Sequence, residues 1–97
     1  MKAADAIREQ RSDAWIGDAV LGLFARQWVL EHTGRMDAEL LAAMTSNQFL
    51  STIGNPTALE SRIGRRFLDG GLDAAFALLE SEIMPKFLAQ QRRRGRP

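Results

Sequence analysis

Apolar residues recur every three or four positions along most of the chain, which is the spacing of an amphipathic helix. One apolar stripe runs through residues 15–30, and another joins five large side chains between Leu72 and Phe87. Segments that alternate apolar and polar residues, as strands do, are nearly absent. The pattern therefore predicts an all-α fold, a single compact domain of about five helices. The expected helices cover residues 3–10, 12–32, 37–53, 56–69 and 72–87.

Polar residues, glycines and prolines mark the expected helix boundaries. We expect Ser12 to cap the second helix, with Asp13 in its first turn. Pro85 is expected to kink the last helix because it has no N–H to donate. A break inside the third helix is allowed at Ser46–Asn47. The other expected boundaries are Gly34, Asp37, Gly54–Asn55–Pro56 and Gly70–Gly71.

Length and composition limit the classes of protein. The 97 residues suffice for one folded core, which we assign to residues 1–91, while residues 92–97 are expected to form a basic flexible tail. The chain has no Cys, which excludes disulfides and thiolate metal sites, so any metal must be held by oxygen. No apolar stretch approaches the roughly 20 residues that cross a bilayer. We therefore expect a cytoplasmic protein with no membrane partner.

Charge is distributed unevenly along the chain. Residues 1–60 carry five Lys or Arg and eight Asp or Glu, whereas residues 61–97 carry eight and four. The basic part includes Arg62, Arg65 and Arg66 and the cluster Arg92–Arg94. Such cations either exchange counterions with phosphates or serve only solubility and ion pairing.

Two carboxylates stand in unusually apolar surroundings. Asp18 lies in the most apolar part of the second helix, and Glu60 lies between Leu59 and Ile63 in the fourth. Burial of an unpaired charge is costly, so each acid needs a partner. If the two helices cross at small residues, both carboxylates can converge on a divalent cation that keeps several waters, as Mg²⁺ does. The alternative is that each acid pairs with a nearby arginine of the fourth helix.

Three segments also resemble one protein family. Ile16–Leu21 resembles the signature helix of the ribonuclease III family, whose core is Leu-Gly-Asp-Ala-Val-Leu. Ala58–Gly64 followed by Phe67–Leu72 is similar to the second acidic segment of that family, Glu-Ala-Leu-Ile-Gly with a following Tyr-Leu-Asp-Gly-Gly. Thr45–Leu50 is similar to its Val-Ser-Asn helix. The resemblance spans residues 12–88 and implies an all-helical endonuclease domain.

The chain also departs from the family pattern. Arg11 and Ala14 stand where the full-length enzymes have two glutamates, and Thr57 stands where they have an aspartate. The mini-ribonuclease III branch, which has no separate double-stranded-RNA-binding domain, likewise lacks the upstream glutamates and carries Thr-Ala before its second acid. The short connection Gly54–Asn55–Pro56 replaces a helix and a loop that both branches insert there and that help to grip RNA. By this resemblance, Asp18 and Glu60 are the catalytic acids of the family that the chain retains.

The resemblance implies a divalent-metal-dependent endoribonuclease that cleaves double-stranded or structured RNA, with a role in ribosomal RNA maturation and no action on DNA expected. Asp18 and Glu60 would be the catalytic metal ligands for Mg²⁺, with Mn²⁺ as a substitute. The expected RNA-binding residues are Asn47, Arg62, Arg65, Arg66, Arg92, Arg93 and Arg94. The missing acids and insert favour an alternative, a catalytically weak dimer of the same fold that binds RNA or a ribosomal assembly. A purely structural helical module is the third hypothesis.

Family members are homodimers in which a bulky residue, three positions before the signature aspartate, inserts into the partner. Trp15 occupies that position in this chain. An aromatic residue at a two-fold interface buries a large apolar area, which helps a small domain. We therefore expect a homodimer with Trp15 at its interface. The alternative is that Trp15 packs into the core of its own chain.

Overall fold

The computed structural model describes residues 2–95, and within that range the chain contains helices and no strand. The predicted all-α class is confirmed, and five helices are assigned. The helices are α1 Lys2–Thr33, α2 Ala38–Thr45, α3 Asn47–Ser51, α4 Pro56–Glu82 and α5 Met84–Arg93.

Helix α1 is one uninterrupted helix of 32 residues. The expected separate helix over residues 3–10 and the expected cap at Ser12 are therefore wrong. The physical reason is that no Gly or Pro occurs between residues 2 and 16, where Ala, Arg, Glu and Gln favour helix. The end of α1 is as predicted, since Gly34 has φ 75° and its N–H donates to the carbonyl oxygen of Leu30 at 2.8 Å.

The caps predicted at Asp37 and Asn55 are confirmed, and the break allowed at Ser46–Asn47 is present, with Ser46 as the cap of α3. Asp37 Oδ1 accepts from the N–H of Leu40 at 3.0 Å at the start of α2. Ser46 ends α2, and its hydroxyl oxygen accepts from the N–H of Phe49 at 3.1 Å to cap α3. Asn55 Oδ1 accepts from the N–H of Ala58 at 2.9 Å, and Pro56 opens α4. Each cap acts within three residues, which is why sequence alone reveals it.

Helix α4 consists of two segments that fold back on each other at Gly71, whose φ is 85° and ψ −178°. A straight helix would hold Arg62 and Glu82 about 30 Å apart. Instead Arg62 Nη2 donates to Glu82 Oε1 and Oε2 at 2.9 and 2.7 Å. The expected boundary at Gly70–Gly71 is therefore confirmed as a reversal of the chain. Because both side chains of the ion pair are substantially exposed, it contributes only about 0–1 kcal/mol.

Pro85 lies in the first turn of α5 rather than inside a longer helix. In place of the expected kink, one helix ends and the next begins at Ile83. A proline is tolerated there because the first N–H groups of a helix have no internal partner. Helix α5 extends through Arg93, which places Arg92 and Arg93 in a helix rather than in the expected tail. The remainder of that tail beyond Gly95 lies outside the described residues.

The core forms where α1 packs antiparallel to the first segment of α4, and the shorter helices close one end. Phe87 of α5 contacts Trp28 and Phe49 edge-on, with ring centroids 5.7 and 5.5 Å apart. These contacts hold α5 and α3 against the second half of α1. No helix within residues 2–95 is long and apolar enough to cross a membrane. The fully buried large side chains are Leu21, Met44, Phe49, Leu50, Ile63, Leu79, Ile83 and Phe87.

Candidate metal centre

Helices α1 and α4 cross in backbone contact at Gly17 and Gly64. A Cβ on Gly17 would overlap the carbonyl group of Glu60, and a Cβ on Gly64 would overlap the carbonyl group of Asp13. Each added Cβ would also lie 2.9 Å from the backbone nitrogen of the other glycine. The expected crossing at these two glycines is therefore what the structure contains, and it brings the neighbouring side chains of the two helices together.

The crossing brings the carboxyl groups of Asp18 and Glu60 within hydrogen-bonding reach. Burial, the hydrogen bond with Asp18 and the repulsion from the Asp18 charge, in that order of size, together raise the pKa of Glu60 from 4.5 to about 7. Glu60 is half-buried and Asp18 is exposed. The pair can therefore retain a proton near neutral pH, or exchange that proton for a cation that neutralises both groups.

The donor set fits a hard divalent cation. Asp18 and Glu60 provide carboxylate oxygens, and the exposed side of Asp18 leaves room for water or a phosphate oxygen to complete an octahedral shell. Within residues 2–95 no group of three or more His, Cys, Asp or Glu side chains converges on one point. An ion at this site would therefore depend on water and substrate for most of its coordination.

The alternative pairing of these acids with the arginines of α4 is not found for any of the three arginines within the described residues. Arg62 pairs with Glu82, and Arg65 Nη2 lies 3.3 Å from Asp13 Oδ1. Arg66 has no ion pair with any residue of the described range. The two site carboxylates thus interact with each other rather than with these cations.

The arginines of α4 do not point toward the carboxylate pair. At about 100° per residue, Arg62, Arg65 and Arg66 are displaced by about 120° to 160° from Glu60 around the helix axis. They line a shallow depression together with Asp13 and other residues of α4. The sequence places them one turn from Glu60, but helix geometry directs them to a separate surface.

The other predicted functional residues lie on the surface of the molecule. Asn47 is exposed at the first position of α3, and Arg92–Arg94 are exposed at the end of α5. Trp15 is 80% exposed, so it does not pack into the core of its own chain. By contrast, Phe24 is buried in the core and Trp28 is half-buried against it.

Sequence reasoning missed two features near these surfaces. One is an apolar groove of about 270 Å³ between α1 and α2, lined by Leu30, Met36 and Leu41 among others. The other is a pair of glutamines on α5, Gln90 and Gln91, whose side-chain oxygens are buried without a hydrogen-bond donor. Neither has a local signal, because both depend on how separate helices meet.

Comparison of the chain with protein-family models, with curated proteins and with solved structures found no match. The function of the chain is therefore inferred from its own residues and their geometry.

Proposed function

We propose that this chain is a divalent-metal-dependent endoribonuclease that hydrolyses phosphodiester bonds in double-stranded or structured cytoplasmic RNA, including precursors of ribosomal RNA. One observation carries the proposal: Asp18 and Glu60 meet at the crossing of α1 and α4, and neither is neutralised by an arginine of α4. Their segments are also the ones that resemble the two acidic motifs of the ribonuclease III family.

Asp18 and Glu60 would hold Mg²⁺ or Mn²⁺, and Glu60 must lose its proton before it binds the ion. A bound ion would polarise a phosphate oxygen and lower the pKa of an attacking water. The protein contributes position: Gly17 and Gly64 keep the two backbones in contact, so the carboxylates stay together without a flexible loop. The exposed side of Asp18 leaves the pair accessible to an RNA phosphate.

A homodimer is part of this proposal. Trp15 and Leu23, at 80% and 42% exposure, share one side of α1 with the apolar groove at Leu30. Trp15 and Leu30 lie about 10 and 12 Å from Gly22 along the helix. A two-fold axis near Gly22 would therefore place Trp15 of each copy beside the groove of the other. In such a dimer, each copy would cover the apolar face of the other.

Oligomeric state tests this arrangement directly. We expect the unmodified protein to be a dimer by light scattering after gel filtration and the Trp15→Asp variant to be a monomer with unchanged helix content. Leu68→Asp is the matched control, since Leu68 is 50% exposed on another helix. A Trp15→Asp variant that stays dimeric would contradict the arrangement.

A second candidate is a catalytically weak dimer of the same type that binds RNA or a ribosomal assembly without cutting it. It is favoured by the small ligand set, since only two carboxylates meet at the site among the described residues. The connection between α3 and α4 is also short, with only residues 52–55 between Ser51 and Pro56. That connection leaves no room for the extra helix that helps ribonuclease III enzymes to grip RNA.

Cleavage of a long labelled RNA duplex by the purified protein separates the two candidates. We expect cleavage with Mg²⁺ or Mn²⁺, none with EDTA, and none of a DNA duplex of the same sequence. The Asp18→Asn and Glu60→Gln variants should lose cleavage while keeping their fold. Asp13→Asn is the matched control, because Asp13 lies on the same helix and pairs with Arg65 instead. Duplex retention without cleavage by the unmodified protein would favour the binding protein.

A further inference from the structure

Helix α5 and the turn after it form the most basic segment of the chain. Residues 83–95 contain Lys86 and Arg92–Arg94 and no acidic residue. No ion pair within the described range involves these four cations, whereas Arg62 and Arg65 of α4 are both paired. Within the described residues, α5 and the turn after it therefore carry four unpaired cations, whereas α4 carries only Arg66.

A cleft lies between this helix and the end of α3. It has a volume of about 210 Å³ and is lined by Thr52, Lys86, Ala89, Gln90 and Arg93. Lys86, Gln90 and Arg93 follow one another at spacings of four and three residues, so they share one face of α5. The cleft thus has a cation at each end of this face and an amide between them.

The amide of Gln90 lacks a partner. Its Oε1 is buried and has no hydrogen-bond donor within the described residues, although Gln90 lines this cleft and a neighbouring one. An unpaired buried acceptor is unfavourable. Because this oxygen has no solvent access, a ligand in the cleft reaches it only after the side-chain amide of Gln90 rotates outward, and a hydroxyl donor then satisfies it. A backbone phosphodiester offers no such donor, but the ribose 2′-OH both donates and accepts.

The cleft is close enough to the carboxylate pair for one RNA molecule to reach both. Thr52 precedes Glu60 by eight residues, four of which are in the first turn of α4. Their Cα atoms are therefore at most about 20 Å apart. A strand of several nucleotides can span such a distance.

We propose that this cleft binds the sugar-phosphate backbone of RNA, with a phosphate between Lys86 and Arg93 and the adjacent 2′-OH on Gln90. This inference rests on the proposed function, because it supplies the contact that positions RNA relative to Asp18 and Glu60. It also predicts a preference for RNA over DNA that depends on Gln90, a residue outside the carboxylate site.

Binding in EDTA tests the cleft separately from cleavage. The unmodified protein and its variants are titrated into a short fluorescent RNA duplex, and into DNA of the same sequence, at several salt concentrations. The variant Lys86→Gln/Arg93→Gln should bind RNA about 10-fold more weakly and show a log–log salt slope shallower by about 1.5 to 2. The variant Lys2→Gln/Arg35→Gln removes the same charge elsewhere and should differ little.

Gln90→Leu should lower the preference for RNA over DNA by about 2- to 10-fold, while its control Gln10→Leu leaves that preference unchanged. If Lys86→Gln/Arg93→Gln leaves RNA binding intact, the proposal that the cleft binds RNA is wrong. That result would not contradict the proposed nuclease activity. Equal losses in the two double variants would also overturn the cleft proposal, since charge alone would then explain binding. Cleavage that fails while the cleft variants still weaken RNA binding would reject the nuclease and keep the cleft.

Discussion

The contact between α1 and α4 at Gly17 predicts that Gly17→Ala destabilises the fold, although helix propensity alone predicts that it stabilises the fold. Replacing a helical Gly by Ala ordinarily stabilises a protein by about 0.5–1 kcal/mol. At Gly17 the new methyl group would overlap the carbonyl oxygen of Glu60 and lie 2.6 Å from its carbonyl carbon. These are backbone atoms that cannot rotate away, so the helices must separate. We expect Gly17→Ala to destabilise the fold by about 3 kcal/mol or more.

That loss is large for a chain of this size, whose total stability is expected to be about 5–15 kcal/mol. Urea unfolding followed by circular dichroism measures it, and Gly22→Ala in the same helix is the matched control. A Cβ on Gly22 would meet only the Nη1 atom of Arg26 at 2.9 Å, and this flexible side chain can move. We expect Gly22→Ala to be neutral or stabilising. Equal stability of the two variants would refute the backbone contact.

Three further predictions follow from single residues. Gly71→Ala should lower the free energy of unfolding by about 1–3 kcal/mol, measured by thermal unfolding, because φ 85° with ψ −178° suits glycine alone. A loss of stability no greater than that of Gly54→Ala would contradict this. Gln91→Met should stabilise the fold by about 1 kcal/mol, since Gln91 is 4% exposed and its Oε1 lacks a donor; a lower melting temperature would contradict this. The raised pKa of Glu60, about 7, means that the folded chain holds more protons than the unfolded chain between about pH 4.5 and 7. Stability should therefore fall as pH rises through that range, by about 1–2 kcal/mol after solvent screening, and Glu60→Gln should flatten the profile.

The local signals in the sequence predict the helix ends well. Asp37 and Asn55 each accept a hydrogen bond from an N–H three residues ahead, and Gly34 adopts the positive φ that ends α1. These interactions need no distant partner, so composition and order suffice to locate them. The wrong break near Ser12 shows the limit, since a capping residue inside a run of strong helix formers remains helical.

The carboxylate pair was predictable only in part. The small residues Gly17 and Gly64 suggest a close crossing, and the family resemblance singles out Asp18 and Glu60. The raised pKa of Glu60 could not be read from sequence, because it depends on burial and on a neighbour 42 positions away.

The amino-acid sequence by itself determined that the chain is helical, where most helices begin and end, and which residues carry acidic and basic charge. The tertiary structure alone decided which charges meet. Arg65 pairs with Asp13, Arg62 pairs with Glu82, and the cations of α5 have no acidic partner within the described residues. Helix formation depends on interactions within about four residues, whereas these pairings depend on the packing of α1 against α4 and on the reversal at Gly71.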